Sequence, residues 1–131
     1  FFADHNRSDE LKTVVITRIL GVDLSANWVF SSGGAYTDIN NIYIETGSGF
    51  TINTTGRVNE ERLPPVHHLD IAISRSWKVK SFLIDLGLSV YNIYNKKNIS
   101  HKRYNPYTSQ LSMSDVSMFG ITPSINLKMS F

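Results

Sequence analysis

The sequence predicts an all-β chain, an antiparallel meander of about five amphipathic strands, and three observations lead there. Residues 118–131 (MFGITPSINLKMSF) divide completely into two faces, with Phe119, Ile121, Pro123, Ile125, Leu127, Met129 and Phe131 on one and Gly120, Thr122, Ser124, Asn126, Lys128 and Ser130 on the other. The same alternation recurs in four earlier stretches, and the breaks between stretches are in turn very short and very long. The last stretch runs about twice the usual ~5–6 residues of a soluble strand and matches the ~9–11 of a tilted strand crossing a bilayer. Apolar side chains towards lipid, small or polar ones towards a lumen, and long loops on one side only are the pattern of a transmembrane barrel.

The first strand is predicted near 11–19 (LKTVVITRI), where β-branched residues dominate and Leu11, Thr13, Val15, Thr17 and Ile19 share a face. Leu20-Gly21 reads as a two-residue hairpin turn. It pairs Ile19 with Val22, Thr17 with Leu24, Val15 with Ala26 and Thr13 with Trp28, so a second strand near 22–30 continues the apolar face through Val22, Leu24, Ala26, Trp28 and Phe30. Residues 31–66 are punctuated by Gly33-Gly34, Asn40-Asn41, Gly47-Ser48-Gly49, Thr54-Thr55-Gly56 and Pro64-Pro65 and are expected to form a long outer loop, with 42–44 and 50–52 as candidate short strands. A third strand near 68–78 sets Leu69, Ile71, Ile73 and Trp77 against Asp70, Ala72, Ser74 and Ser76, with Arg75 interrupting the apolar side. A turn at Val79-Lys80 is expected to pair Trp77 with Phe82 and to lead into a fourth strand near 81–92, with Phe82, Ile84, Leu86, Leu88 and Val90 facing one way. Residues 93–116 form a second long polar loop, and the fifth strand is placed near 117–131.

Composition excludes several classes. The net charge of +2 comes from thirteen basic and eleven acidic residues with no Lys/Arg run, so no nucleic-acid footprint is present. The absence of cysteine removes disulfides, thiolate metal sites and a thiol nucleophile. No run of eighteen apolar residues exists, which excludes a membrane helix but not a barrel, whose hydrophobicity alternates. The start at Phe1 without an export signal leads us to expect a mature chain or a piece of a longer one, treated as one segment over 1–131.

Three separated motifs carry a resemblance: RLPPVHHLD at 62–70, LSVYNIYNKKN at 88–98 and the terminal ITPSINLKMSF, with LSANWVFSSGGAYT at 24–37 as a further match. Together they resemble the carboxy-terminal part of a TonB-dependent outer-membrane receptor of the Bacteroidetes type. That resemblance implies a large barrel of about 22 strands in the bacterial outer membrane, of which this chain holds the last five. It implies uptake of a scarce ligand such as a siderophore, glycan or peptide. The implied partners are the remainder of the barrel and its plug, TonB through that plug, outer-membrane lipid and a surface lipoprotein. It also makes Ile125, Leu127, Met129 and Phe131 a terminal signal for barrel assembly. Five strands do not close a lipid-spanning barrel, because an open edge leaves amides unpaired in hydrocarbon.

The lipid-facing set on this reading is Leu24, Ala26, Trp28, Leu69, Ile71, Ile73, Leu86, Leu88, Phe119, Ile121, Ile125, Leu127 and Phe131. Tyr91, Tyr94, Tyr104 and Tyr107, in or beside the second loop, are the candidate ligand or partner contacts, and Lys96, Lys97, Lys102 and Arg103 form a modest basic cluster. His5, His67, His68 and His101 raise the question of a metal, but adjacent histidines on a strand face opposite ways and a hydrogen-bonding role is expected instead. Asp70 and Asp85 are too far apart along their strands to act as a catalytic pair, and no nucleophile triad or phosphate loop is present, so no catalytic residue, metal or cofactor is assigned. The alternative reading is a soluble β-sandwich or adhesin-like binding module whose long loops recognise a partner.

Overall fold

The computed structural model describes residues 6–38, 41–45, 49–53, 57–105 and 112–131. These contain strands and no helix: β1 Glu10–Ile19, β2 Val22–Ser31, β3 Ala35–Tyr36, β4 Asn41–Glu45, β5 Gly49–Asn53, β6 Glu61–Arg62, β7 Val66–Val79, β8 Phe82–Tyr91, β9 Ile99–Asn105, β10 Ser112–Ser117 and β11 Thr122–Ser130. The chain divides into two compact units. One comprises Glu10–Phe30, His67–Lys97 and Phe119–Phe131, the other Phe1–Asp9, Ser31–Val66 and Asn98–Met118.

The first unit is a five-stranded antiparallel sheet in the order β1-β2-β7-β8-β11. Its hairpin turns follow from local chemistry. Leu20 and Gly21 both adopt positive φ (51° and 75°), the combination a tight primed turn requires, and Gly21 meets that demand without a Cβ. Across this turn Arg18 grips Asp23 with two hydrogen bonds, Nε to Oδ1 at 2.5 Å and Nη2 to Oδ2 at 2.6 Å, as expected of residues facing each other when Ile19 opposes Val22.

The β7–β8 hairpin corrects the predicted register. Val79 pairs with Phe82 and Trp77 with Ile84, so the turn residues are Lys80-Ser81 rather than Val79-Lys80, with Lys80 at φ 57°. The slip is two residues, and because strand faces repeat every two residues every side chain keeps its predicted face. Asp85 now opposes Ser76 and Lys128, six positions from the residue level of Asp70, roughly 20 Å along the strand. The rows across β7, β8 and β11 are Ile71–Val90–Pro123, Ile73–Leu88–Ile125, Arg75–Leu86–Leu127 and Trp77–Ile84–Met129 on one face. On the other face lie Ala72–Ser89–Ser124, Ser74–Gly87–Asn126 and Ser76–Asp85–Lys128. Arg75, the exception in the apolar set, lays its guanidinium 5.5 Å from the Trp77 ring centroid, which lets a cation share an aromatic face.

The fifth strand is shorter than predicted. It begins at Thr122, so Phe119 and Ile121 precede the ladder and are not part of its alternating face. The cause is local. The carbonyl of Phe119 accepts from the Asn92 side chain at 3.3 Å and the N–H of Ile121 donates to Asn95 Oδ1 at 2.9 Å, so these backbone groups are bonded to side-chain amides instead of a neighbouring strand. Gly120 lies so close to Asn95 that an added Cβ would sit 2.5 Å from its Oδ1.

The apolar face has no second layer on it among the described residues. Ile125 is 74% exposed and Leu127 62%, and the buried apolar residues are Ala35, Leu63 and Val66, none of them on β8 or β11. Covering each such side chain is worth about 1.5–3 kcal/mol, so this face is the largest unsatisfied demand in the sheet. β1 and β11 are both edge strands with one unpaired side.

The second unit consists of small ladders: β3 with β6, β4 with β5 and β9 with β10. The β4–β5 hairpin covers the two short strands anticipated at 42–44 and 50–52. The β9–β10 hairpin, pairing Asp115 with Lys102 and Met113 with Tyr104, falls in a stretch expected to be loop, because its charged and polar sequence carries no apolar alternation. Gly33 is fixed by packing: a Cβ there would lie 1.5 Å from the Leu63 carbonyl oxygen, next to the Leu63 N–H that donates to the Gly34 carbonyl at 2.9 Å. A Cβ at Gly34 would meet nothing within 4 Å. We therefore expect Gly33→Ala to destabilise the chain by about 1–3 kcal/mol in denaturant titration, while Gly34→Ala leaves the midpoint within error; equal midpoints for both variants would refute the packing argument.

Candidate functional site

The polar face of the sheet converges on one carboxylate at the end from which the long connections leave. Asp70 sits on β7 in step with Ala72 and Ser74 and so points away from the apolar rows. Its Oδ1 lies 2.9 Å from His68 Nδ1 and accepts the Asn92 N–H at 2.9 Å, while Oδ2 accepts from Asn27 Nδ2 at 3.3 Å. Tyr91, opposite Thr122 at the end of β8, places its ring 4.6 Å from that of His68. Asn27, Asp70 and Tyr91 line a small hollow of mixed character with Ser25, Ser89, Ile71, Ala72 and Val90. Asp70 is engaged on both oxygens by groups from three strands or their ends, so it serves as a pin and is not positioned as a free acid or base.

The two adjacent histidines separate as strand geometry requires. His68 turns to Asp70, and His67 turns the other way, with Nδ1 2.8 Å from the Tyr94 hydroxyl. No group of three or more metal-binding side chains occurs among the described residues.

Beyond β8 the chain winds around Asn92, which is fully buried. Asn92 Nδ2 donates to the carbonyls of Lys96 (2.9 Å) and Phe119 (3.3 Å), its Oδ1 accepts the Lys96 N–H at 3.1 Å, and its own carbonyl accepts the Asn95 N–H at 2.7 Å. Ile93 N–H donates to the Leu69 carbonyl at 2.8 Å. Asn92 and Asn95 adopt positive φ (51° and 53°), a conformation that asparagine tolerates better than most residues. One buried amide thus ties the end of β8 to the approach of β11. Sequence reasoning assigned these asparagines no role; their signal was two Asn residues three apart directly after an apolar strand, the composition of a left-handed turn.

Three of the four candidate tyrosines lie among the described residues. Tyr91 and Tyr94 belong to the sheet unit and are held by His68 and His67, whereas Tyr104 lies on β9 in the other unit, its hydroxyl buried with no hydrogen-bond partner among the described residues. Tyr107, like His5, lies outside the described residues. The basic cluster is likewise divided, Lys96 and Lys97 in one unit and Lys102 and Arg103 in the other.

The remaining predicted residues fall on the apolar face. Leu24, Ala26, Ile71, Ile73 and Leu88 line a shallow apolar hollow, and Leu86 stands in the Arg75–Leu127 row. Leu69 holds its β7 position two residues before Ile71. Trp28 and Phe30 stack at 6.2 Å near the connection end of β2, and Trp77 and Phe82 flank the β7–β8 turn, so aromatic rings occupy both ends of the face. Ile125, Leu127 and Met129 oppose Leu88, Leu86 and Ile84, and Phe131 follows the strand, wholly exposed.

Comparison with protein-family models, curated proteins and solved structures found no match.

The Asn92 arrangement yields a clean test. Asn92→Gly keeps the left-handed backbone but removes the amide, leaving two carbonyls and one N–H without their partner, and is expected to cost about 1–3 kcal/mol in equilibrium unfolding. A loss below about 0.5 kcal/mol would show that the amide is replaceable by solvent.

Proposed function

We propose that the chain is the carboxy-terminal barrel segment of a TonB-dependent receptor in the bacterial outer membrane, where it helps take up a scarce ligand. The observation that carries this reading is the sheet itself: in-phase strands, mostly of nine to fourteen residues, with one apolar face uncovered and both edges open. Lipid would cover the face, and the remainder of the barrel would pair with β1 and β11, removing the edges that hydrocarbon does not tolerate. Aromatic rings at both ends of the face match the two interfacial girdles of such barrels. The two-residue turns at 20–21 and 80–81 lie at one end of the sheet and the long connections leave from the other, the asymmetry expected of periplasmic turns and extracellular loops. The resemblance of the three motifs adds the receptor family, with a plug, TonB and a surface lipoprotein as partners of the whole assembly. In this reading Leu24, Ala26, Trp28, Leu69, Ile71, Ile73, Leu86, Leu88, Ile125 and Leu127 contact lipid, and Ile125, Leu127, Met129 and Phe131 form the terminal assembly signal.

A second reading, a soluble sandwich with recognition loops, draws on the apolar hollow around Ala26, which side chains of a second sheet would fill. The chain has two tryptophans, Trp28 and Trp77, and both are on the apolar face, so lipid contact is directly measurable. In vesicles of brominated lipids that hold the chain paired with the remainder of its barrel, both are expected to be quenched, more strongly by bromine near the headgroups than at the bilayer centre. Unquenched emission with a folded sheet selects the sandwich. In the same vesicles Ile125→Arg should destabilise folding by about 2–4 kcal/mol if it lies near the midplane; a change near zero places that residue away from lipid.

A further inference from the structure

The second unit contains a cleft of about 660 Å³ whose lining includes Arg7, Lys102, Ser100, Tyr36 and Leu63, a volume within the range of small-molecule sites. Its two charged residues are both cations, and no carboxylate lines it among the described residues. The cations are held by separate devices. Arg7 lies on a segment tied at both sides: Arg62 Nη1 donates to the Asn6 carbonyl at 3.4 Å and to the Gly33 carbonyl at 3.3 Å, and Asp9 exchanges bonds with Ser32, N–H to Oγ at 3.1 Å and carbonyl from N–H at 2.9 Å. Lys102, two residues after Ser100 on β9, carries its ammonium 5.1 Å from the Tyr36 ring centroid. Asp115 meets Lys102 at 3.7 Å from β10, and Glu61 opposes Tyr36 in the β3–β6 ladder, but neither lines the cleft. The floor is apolar, with Ala35 and Leu63 buried, and a Cβ at Gly34, another lining residue, would stand in open space.

We propose that this cleft binds an acidic sugar, a pyranose bearing a carboxylate or phosphate. The guanidinium fork of Arg7 suits the two oxygens of such a group, and Lys102 adds a second charge. Ser100, its hydroxyl 3.3 Å from His101 Nδ1, supplies a hydrogen-bonding partner for a sugar hydroxyl, while Leu63, Ala35 and Tyr36 suit the apolar C–H side of the ring. The site lies within one unit, so it holds whether or not the sheet spans a membrane.

The test is calorimetric titration of the folded full chain with glucuronate, glucose 6-phosphate, glucose and inorganic phosphate. Both acidic sugars are expected to bind, with glucose and inorganic phosphate each weaker by roughly tenfold or more, the loss expected when charge-assisted hydrogen bonds or the ring contacts are removed. Arg7→Gln should weaken glucuronate by roughly tenfold or more with an unchanged far-ultraviolet spectrum. Gly34→Leu, which leaves both cations in place, should block binding by filling the cleft. Glucose binding as tightly as glucuronate, phosphate binding as tightly as glucose 6-phosphate, no binding of either acidic sugar to the folded chain, or full affinity in both variants would each overturn the proposal.

Discussion

Antiparallel pairing places directly opposed residues on the same face, and this sheet depends on the strands meeting in phase. Where Ile73, Leu88 and Ile125 form one row and Ser74, Gly87 and Asn126 the next, each hydrogen-bonded step adds to two continuous surfaces of opposite character. The ladder satisfies the interior amides, so the sheet's needs are displaced to its boundary, an apolar face without cover and two edges without partners. A slip of one residue in β8 would exchange Leu88 for Ser89 on the apolar side and mix the surfaces along the whole strand. That penalty grows with strand length, which is why long alternating strands specify their pairing strongly even though no single pair contributes much.

The same parity explains which parts of the fold were legible in the sequence. Faces were readable because they need only the alternation, and they survived a two-residue error in the β7–β8 register. The turn itself was harder, since Val79, Lys80 and Ser81 include neither Gly nor Asn, and Lys80 takes a positive φ that its side chain does not advertise. The start of β11 was misread for a different reason. Alternation continues back through Ile121 and Phe119, but Asn92 and Asn95 capture the backbone there, and a long-range side-chain bond leaves no periodic trace. The β9–β10 hairpin was invisible because its pairing rests on backbone bonds and a Lys102–Asp115 contact, not on an apolar stripe.

For the candidate site, the sequence identified residue types but not their engagements. Tyr91 and Tyr94 were singled out as contacts, and each lies against a histidine of the motif at 62–70, an engagement the sequence did not reveal. The expectation that the adjacent histidines face opposite ways rested on strand geometry and agrees with their partners, Asp70 for His68 and Tyr94 for His67, while the hydrogen-bonding role came from the resemblance. Tyr104 belongs to the other compact unit, a tertiary grouping that local pattern does not encode.

Two kinds of specification thus coexist in one chain, and they set different tolerances to change. The sheet is specified by a distributed pattern, so exchanging one apolar residue for another on its face preserves the parity that fixes register. The connections are specified by a few discrete bonds: Asp70 collects His68, Asn27 and the Asn92 amide, and Asn92 collects the carbonyls of Lys96 and Phe119. Removing one partner there leaves buried polar groups unpaired and costs their desolvation. Substitutions between these pins are free of that constraint, so the cleft-lining side chains of Arg7, Tyr36 and Lys102 can change chemistry while the sheet and its connection pins stay as they are. A scaffold held by pattern and pins leaves side chains elsewhere on its surface variable without cost to the fold.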